Sequence, residues 1–500
     1  PPTATLPLDF SSFSEYPMSN ENTGQNPTAP QLPPFHPEWP HHAKPKIRAL
    51  RGFGAQIGNQ QAMGLADAKQ ITDRIVVAAP AMQLVLPLMN GERTVDQICA
   101  EVGRGLSKDI LGQFVAQLDD AGLLFGPRFD AIIQQMRTDF DSAPILPPAT
   151  TANFVDSLVM QEVARELNMP ETPPEDQAEL QKLQRQVQEK AASLPDSRKD
   201  EIGATKLREL MEAWIAKALE NAEKPSFDSL PKAVIAPHID YGRGWINYAS
   251  VWGRLRVVDR PDRIIILGTN HFGDSTGVCG CDKGYRTVLG TCELDDRLVQ
   301  TLKAKLGAGN SELLFQHRFD HEREHSVELQ IPWLQHCFGP DEMGQFPKVF
   351  GALVHDPAVN NGESYDGKGL GLQPFVDALR ATLSELPGKT LIVSSADLSH
   401  VGPAFGDQQN PGGDTKEAAD FRNKTFGHDK ELLELVRTNK PDDLIASMAW
   451  QQNPTRWCST GCLVAALKIT NPERVEMLNY SAAVDNTGAG MVSSVSGAMF

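Results

Sequence analysis

Four short apolar segments, each followed by side chains that can bind a metal or move a proton, stand out in the hydrophobic and polar pattern. They cover residues 232–239, 263–272, 390–400 and, less like a strand, 455–463. The first three hold unbroken apolar or β-branched runs, which are typical of strands buried on both faces. Ligand crevices of open α/β sheets lie beyond the carboxyl ends of the strands. The pattern therefore predicts a functional site at these ends.

The polar residues at the ends of the runs are chemically related. A single strand-end histidine is more often structural, but recurrence at three strand ends favours a site. Two neutral imidazoles with one anionic ligand suit iron(II), copper or zinc, and the anion here is either a carboxylate or a thiolate. His325 and His400 remain for acid–base or supporting roles. The candidates are His238, His271, Asp397, His400 and Cys458.

From about residue 225 onwards, strand-like runs alternate with helical stretches. This order predicts an α/β domain with a largely parallel central sheet and flanking helices. The predicted strands are 232–239, 263–269, 347–354, 390–395, 475–484 and 491–500, and the predicted helices are 294–306, 372–386, 415–438 and 441–449. A chain of 500 residues is too long to fold around one hydrophobic core, so we expect several domains. We predict a tail at 1–45, a small module at 46–130, a helical connector at 131–227 and a metal-binding domain at 228–500.

The module has the element order of a winged helix. We expect a strand at 74–79, an apolar helix or strand at 81–89, helices capped by Thr94 and Ser107, and a wing-like strand from Leu123. The stretches NGERTVDQI (90–98) and LDDAGLL (118–124) resemble PqqD-like peptide-recognition domains, which implies docking of a peptide or protein. The second helix carries too few Lys and Arg to follow a DNA backbone.

The segments on either side of the module are less informative. Residues 1–45 are rich in Pro, Asn, Ser and Thr, so we expect them to be extended or disordered, with His36, His41 and His42 in solvent. Residues 150–225 predict three amphipathic helices that pack on the following domain. A homodimer contact through these helices is an open hypothesis.

Composition narrows the partners and the compartment. The net charge of −17 argues against nucleic acid or an anionic membrane surface as the main partner. The first residues lack the pattern of a signal peptide and no run approaches a membrane span, which favours the cytoplasm. The seven cysteines are predicted to be reduced, and their spacings do not match a four-cysteine zinc site.

One motif favours a different chemistry. Residues 321–325 read HEREH, which satisfies the H-E-x-x-H pattern of zinc metalloproteases. Pro332 ends any helix soon afterwards, and we find no clear third ligand downstream. A metalloprotease is therefore a rival prediction that the surrounding sequence disfavours.

Taken in order, the motifs between about 228 and 500 resemble the Memo family. They are A-P-H followed by a Tyr-Gly turn, I-L-G-x-x-H, E-H-S-x-E, S-S-x-D-x-x-H, and a late Cys before an apolar helix. With a small unit in front, the arrangement resembles the bacterial AmmeMemoRadiSam system B proteins. That resemblance implies an Ammecr-type protein and a radical S-adenosylmethionine enzyme as partners.

The resemblance also implies a site. Memo proteins share their fold with class III (LigB-type) extradiol dioxygenases, so a redox enzyme is expected, with iron as the metal and copper or zinc as alternatives. A non-catalytic scaffold is the other hypothesis. The chain departs from the family at Ser459 and Cys462, and Cys462 could serve as a resolving thiol for an oxidised Cys458. The implied ligands are His238, His271 and Cys458, with Asp397, His325 and His400 in the pocket and Glu328 as a supporting carboxylate.

Overall fold

The computed structural model describes residues 32–57, 60–103, 105–170, 174 and 176–500. These residues form two compact units that divide between Ser142 and Ala143. The tail prediction for residues 1–31 lies outside the described residues. Within the described parts of the chain, no helix combines the length and apolar character that crossing a bilayer demands.

The N-terminal unit combines a three-stranded antiparallel sheet with helices. Its strands, in the order β1-β2-β3, are β1 (Leu50–Ile57), β2 (Gln60–Asp67) and β3 (Val76–Ala78). Its helices are α1 (Pro40–Ala43), α2 (Val95–Val102), α3 (Lys108–Asp120) and α4 (Pro127–Ser142). The caps predicted at Thr94 and Ser107 are present, and Thr94 forms a reciprocal capping box with Gln97.

Two predictions for this unit fail. The predicted wing is reduced to a single antiparallel bridge between Leu124 and Ile47, because the chain enters α4 at Pro127. Residues 81–89 form two short 3₁₀ turns instead of a longer element. The likeness to PqqD-like domains stays a prediction.

The C-terminal unit is built on an eight-stranded mixed sheet in the order β12-β14-β5-β11-β6-β10-β7, with β13 paired to β14. β5, β11, β6 and β10 are parallel, and antiparallel strands flank them on both sides. A second sheet has the order β4-β8-β9. The strands are β4 (Ile145–Leu146), β5 (Ala233–Ala236), β6 (Arg263–Gly268), β7 (Cys279–Gly280), β8 (Gly284–Thr287), β9 (Gly290–Cys292), β10 (Lys348–Leu353), β11 (Thr390–Ser395), β12 (Asp397–Val401), β13 (Val475–Val484) and β14 (Met491–Met499).

Helices cover this sheet, so the predicted α/β class is confirmed. The parallel part is its centre, where every residue of β5 and β6 is buried. Burial on both faces explains why these strands read as continuous apolar runs. The helices are α5 (Thr150–Glu166), α6 (Gln177–Ala192), α7 (Asp196–Leu219), α8 (Tyr241–Trp252), α9 (Asp296–Phe315), α10 (His325–Glu328), α11 (Ile331–Phe338), α12 (Leu372–Glu385), α13 (Lys416–Arg437), α14 (Pro441–Gln451) and α15 (Thr460–Thr470).

The register of the parallel strands decides where the chain leaves the sheet. Ser395 lies opposite Ala236, and Ser394 lies opposite Leu267. β5, β11 and β6 therefore end at the same edge, and the polar residues that follow each strand meet there.

Candidate metal centre

Three potential metal ligands converge at this edge. His238 follows β5, His271 follows β6, and Cys458 lies in the loop before α15. One ligand atom from each lies within 4.8 Å of the other two. Nε2 of His238 is 3.2 Å from Sγ of Cys458, and the two imidazole rings are nearly perpendicular with centroids 5.1 Å apart. These are the three residues that the family resemblance implies as ligands.

The hydrogen bonds of His238 orient its ring. Nδ1 lies 3.1 Å from the carbonyl oxygen of Ser395, an acceptor, so Nδ1 carries the proton and donates it. The lone pair of Nε2 is then directed towards Cys458. Burial lowers the pKa of His238 well below its ordinary value, and the neighbouring His271 lowers it further. The ring is therefore neutral at physiological pH, as a metal ligand requires.

A buried carboxylate orients the second imidazole. Glu324 is only 2 % exposed, and its Oε1 lies 3.0 Å from Nδ1 of His271. The same carboxylate accepts from the main-chain N–H groups of His271 and Ser326. Burial opposes a charged His271, but the Glu324 carboxylate and the Cys458 sulfur outweigh it and raise the pKa of His271 well above its ordinary value.

Glu324 is the site residue that the sequence prediction missed. Glu324 is the first residue of the E-H-S-x-E motif, and its position directly before His325 is the signal that could identify it. Metal-bound histidines commonly donate their second N–H to a carboxylate or a carbonyl. Glu324 behind His271 and Ser395 behind His238 supply these two acceptors.

Three further candidates surround the ligands. Asp397 is buried beside His238. Its Oδ1 accepts from the main-chain N–H of His238, and its Oδ2 lies 3.7 Å from Nε2 of His238. Burial raises the pKa of Asp397 to about 7. The ring of His325 stacks on His271 with centroids 4.7 Å apart. His400 donates from Nδ1 to the Leu398 carbonyl. Burial lowers the pKa of His325 and of His400 to about 4, so both rings are neutral near pH 7.

Glu328 lies elsewhere. Its carboxylate accepts four hydrogen bonds at the N-terminus of α5, from the main-chain N–H groups of Ala149, Thr150 and Thr151 and from the Thr151 hydroxyl, at 2.6 to 3.0 Å. The orphan donors at a helix start need such partners. The structure thus engages Glu328 with α5 instead of aiming it at the three ligands.

The HEREH motif does not form a metalloprotease site. His321 lies in the 3₁₀ helix Arg318–Glu322, whereas His325 begins α10 with Glu324 as its N-cap. Both ring nitrogens of His321 are engaged, with the Tyr285 hydroxyl and the Cys279 carbonyl, each at 3.1 Å. The two histidines therefore do not share one helix face, which that motif requires.

The two late cysteines differ in environment. Cys458 is partly exposed, and its Sγ is 3.1 Å from the Ser459 hydroxyl. Cys462 is fully buried, its Sγ lies 3.5 Å from the Thr269 hydroxyl, and burial raises its pKa. A buried thiol with a raised pKa is typically unreactive. A resolving role for Cys462 gains no support from this arrangement.

A second group of potential ligands lies in the N-terminal unit. Nε2 of His41 and Nε2 of His42 lie 3.3 and 3.1 Å from Oδ2 of Asp119. Nδ1 of His42 accepts the main-chain N–H of His36, so its Nε2 carries the proton and donates to Asp119. Both ring nitrogens of His42 are therefore engaged within the protein, which leaves no lone pair on this ring for a metal. This group instead holds residues 36–42 on α3, and the expectation that His42 is solvated is wrong, since it is 1 % exposed.

Comparisons with known proteins agree with the motifs. Residues 201–500 match the family model described as Memo-like protein. A MEMO1 family protein of Thermotoga sp. (strain RQ2) is 27% identical over 261 residues, which cover 52% of this chain and 78% of that protein. A second, from Methanopyrus kandleri, is 28% identical over 201 residues, which cover 39% of this chain and 64% of that protein. A third, from Methanococcoides burtonii, is 27% identical over 281 residues, covering 56% and 89%. Because the family model matches more than half of the chain, we conclude that this protein belongs to the Memo family.

Proposed function

We propose that this Memo-family protein binds one transition-metal ion through Nε2 of His238, Nε2 of His271 and the thiolate of Cys458. The observation that carries the proposal is the convergence of the three ligand atoms within 4.8 Å. The hydrogen bonds support it, because each imidazole directs its Nδ1 to an acceptor and leaves Nε2 for the metal. The donor set therefore fits a resident metal.

The ligand types narrow the choice of metal. A thiolate with two imidazoles suits iron, copper or zinc, and we propose iron. When bound, a redox-active ion of this kind would supply electron-transfer chemistry and would polarise a coordinated group. A redox activity related to that of extradiol dioxygenases is the function we propose for the centre. That relation rests on the family resemblance.

The surrounding side chains have complementary roles in this proposal. His325 stacks against His271 and its ring centroid lies 5.6 Å from that of His238, so it lies beside both imidazole ligands. Being neutral near pH 7, His325 can accept a proton from a group held at the centre. Asp397 fixes the His238 main chain. His400, on β12, is the second candidate base.

The partners and the cellular location of the protein are further parts of this proposal. We propose that the protein works in the cytoplasm with an Ammecr-type protein and a radical S-adenosylmethionine enzyme. The N-terminal unit is the proposed docking site for a peptide or protein. These proposals rest on the resemblance and on the net charge of −17.

Metal content tests the proposed centre. Protein purified without oxygen is expected to hold about one equivalent of iron or copper. His238→Ala and Cys458→Ser are expected to lose the metal, because each variant removes one of the three proposed ligand atoms. Cys462→Ser is the matched control and should keep the metal, since its buried thiol contacts Thr269. Inductively coupled plasma mass spectrometry gives the stoichiometry. Metal retained in both ligand variants would contradict the assignment.

A further inference from the structure

A further buried carboxylate, which the proposed centre does not use, lies on a different part of the fold. Asp429, on α13, is fully buried and accepts four hydrogen bonds. Oδ1 accepts from the Ser399 hydroxyl at 2.5 Å and from Nε1 of Trp457 at 2.7 Å. Oδ2 accepts from the Tyr480 hydroxyl at 2.6 Å and from the Ser493 hydroxyl at 2.5 Å. Four donors saturate the lone pairs of a carboxylate.

The two donors on Oδ1 are sequence neighbours of site residues. Trp457 directly precedes the ligand Cys458, and Ser399 directly precedes His400. The Trp457 indole N–H also lies 3.2 Å from the Ser399 hydroxyl, so the three side chains form one connected group. One carboxylate oxygen thereby ties together the two segments that carry Cys458 and His400.

The loop that carries Cys458 is held in an unfavourable conformation. Arg456 has a φ value of 58°, in the left-handed region that residues other than glycine and asparagine rarely adopt, and Asn453 is also left-handed at 46°. Such backbone persists only where surrounding contacts determine it. Here the main-chain N–H of His400 donates to the Thr455 carbonyl at 2.7 Å, and Nε of Arg456 donates to the His400 carbonyl at 2.8 Å.

We propose that Asp429 is a positioning residue for the centre, because it fixes through Trp457 and Ser399 the backbone that presents Cys458 and His400. This inference rests on the proposed function, since Cys458 matters as a metal ligand. The four hydrogen bonds of Asp429 go to Ser399, Trp457, Tyr480 on β13 and Ser493 on β14, and not to a ligand side chain. Its effect is therefore transmitted through the loop.

The chemistry of the four donors predicts which substitutions are tolerated. An indole N–H can only donate, whereas hydroxyl groups can also accept. Asp429→Asn can keep its oxygen towards Trp457 and turn its NH₂ towards the hydroxyls of Tyr480 and Ser493. Asp429→Ala loses every bond and releases the loop. Tyr480→Phe removes one donor from the far oxygen only.

The test measures the reactivity of Cys458 in metal-free protein and the affinity of the protein for the metal. In metal-free protein, the alkylation rate of Cys458 by iodoacetamide, followed by peptide mass spectrometry, is expected to rise at least about threefold in Asp429→Ala as the loop opens locally. Metal affinity, measured by competition with a chromophoric chelator, is expected to fall about tenfold. Asp429→Asn and Tyr480→Phe should match the wild type within about twofold in both measurements.

The outcomes separate the two proposals. Equal effects of Asp429→Ala and Tyr480→Phe, or no effect of either, would overturn the positioning role. If Asp429→Ala does not fold, Ser399→Ala compared with Tyr480→Phe decides the question, because the first removes a hydroxyl donor from Oδ1 and the second removes one from Oδ2. A wild type that binds no metal would refute the proposed centre, while the alkylation rates still decide the role of Asp429.

Discussion

Replacing Glu324 with Ala is expected to weaken metal binding about 10- to 100-fold, the usual effect of losing the acceptor behind a metal-bound histidine. Glu324 accepts from Nδ1 and from the main-chain N–H of His271, so its removal frees both the ring and its backbone. The Ser326 N–H also loses its acceptor. Chelator competition on the folded variant measures the affinity.

Glu324→Gln is the matched control for this prediction. The amide keeps one oxygen that can accept from Nδ1 of His271, while the charge is removed. We expect an affinity between those of the wild type and the alanine variant. An alanine variant that binds metal as tightly as the wild type would show that Glu324 does not orient His271 for binding.

Glu328→Ala is expected to have the opposite profile, with a large loss of stability and an unchanged metal site. Three main-chain N–H groups and one hydroxyl at the start of α5 lose their shared acceptor. A buried donor left without its acceptor costs about 1–3 kcal/mol, and several donors are affected here, so we expect a loss of at least about 3 kcal/mol. Urea unfolding measures the loss, and metal content per folded molecule should stay at the wild-type value.

A threonine variant gives the control for Glu328. Thr151→Val removes only the hydroxyl donor and is expected to cost about 1 kcal/mol, the typical value of one hydrogen bond. If Glu328→Ala loses metal without losing stability, then this carboxylate assists the metal site, as the family resemblance implies.

The central strands could be predicted because burial on both faces leaves a local signature. The predicted strand at 390–395 and the observed Thr390–Ser395 coincide, and 263–269 differs from Arg263–Gly268 by one residue. The hairpin of β1 and β2 was not predicted, since glycines interrupt its alternating pattern. Glycine lowers strand propensity, so this pairing carries little local signal.

The site was predictable to the extent that its residues follow strands. His238 and His271 come shortly after the ends of β5 and β6, whereas the role of Cys458 came from the resemblance. The partners of the carboxylates could not be predicted, because they are distant in sequence. Glu328 meets a helix start 177 residues away, and Asp429 meets Ser493 across 64 residues. Which acid supports which element depends on tertiary packing, which no local pattern records.

The proposed metal centre can be tested by a crystal structure of protein prepared without oxygen, with anomalous diffraction data collected at the iron and copper edges. We expect a single strong peak about 2.0–2.1 Å from Nε2 of His238 and Nε2 of His271 and about 2.3 Å from Sγ of Cys458, as for first-row metals bound by these ligands. An anomalous peak at other side chains, or no peak in protein with all three residues intact, would contradict it.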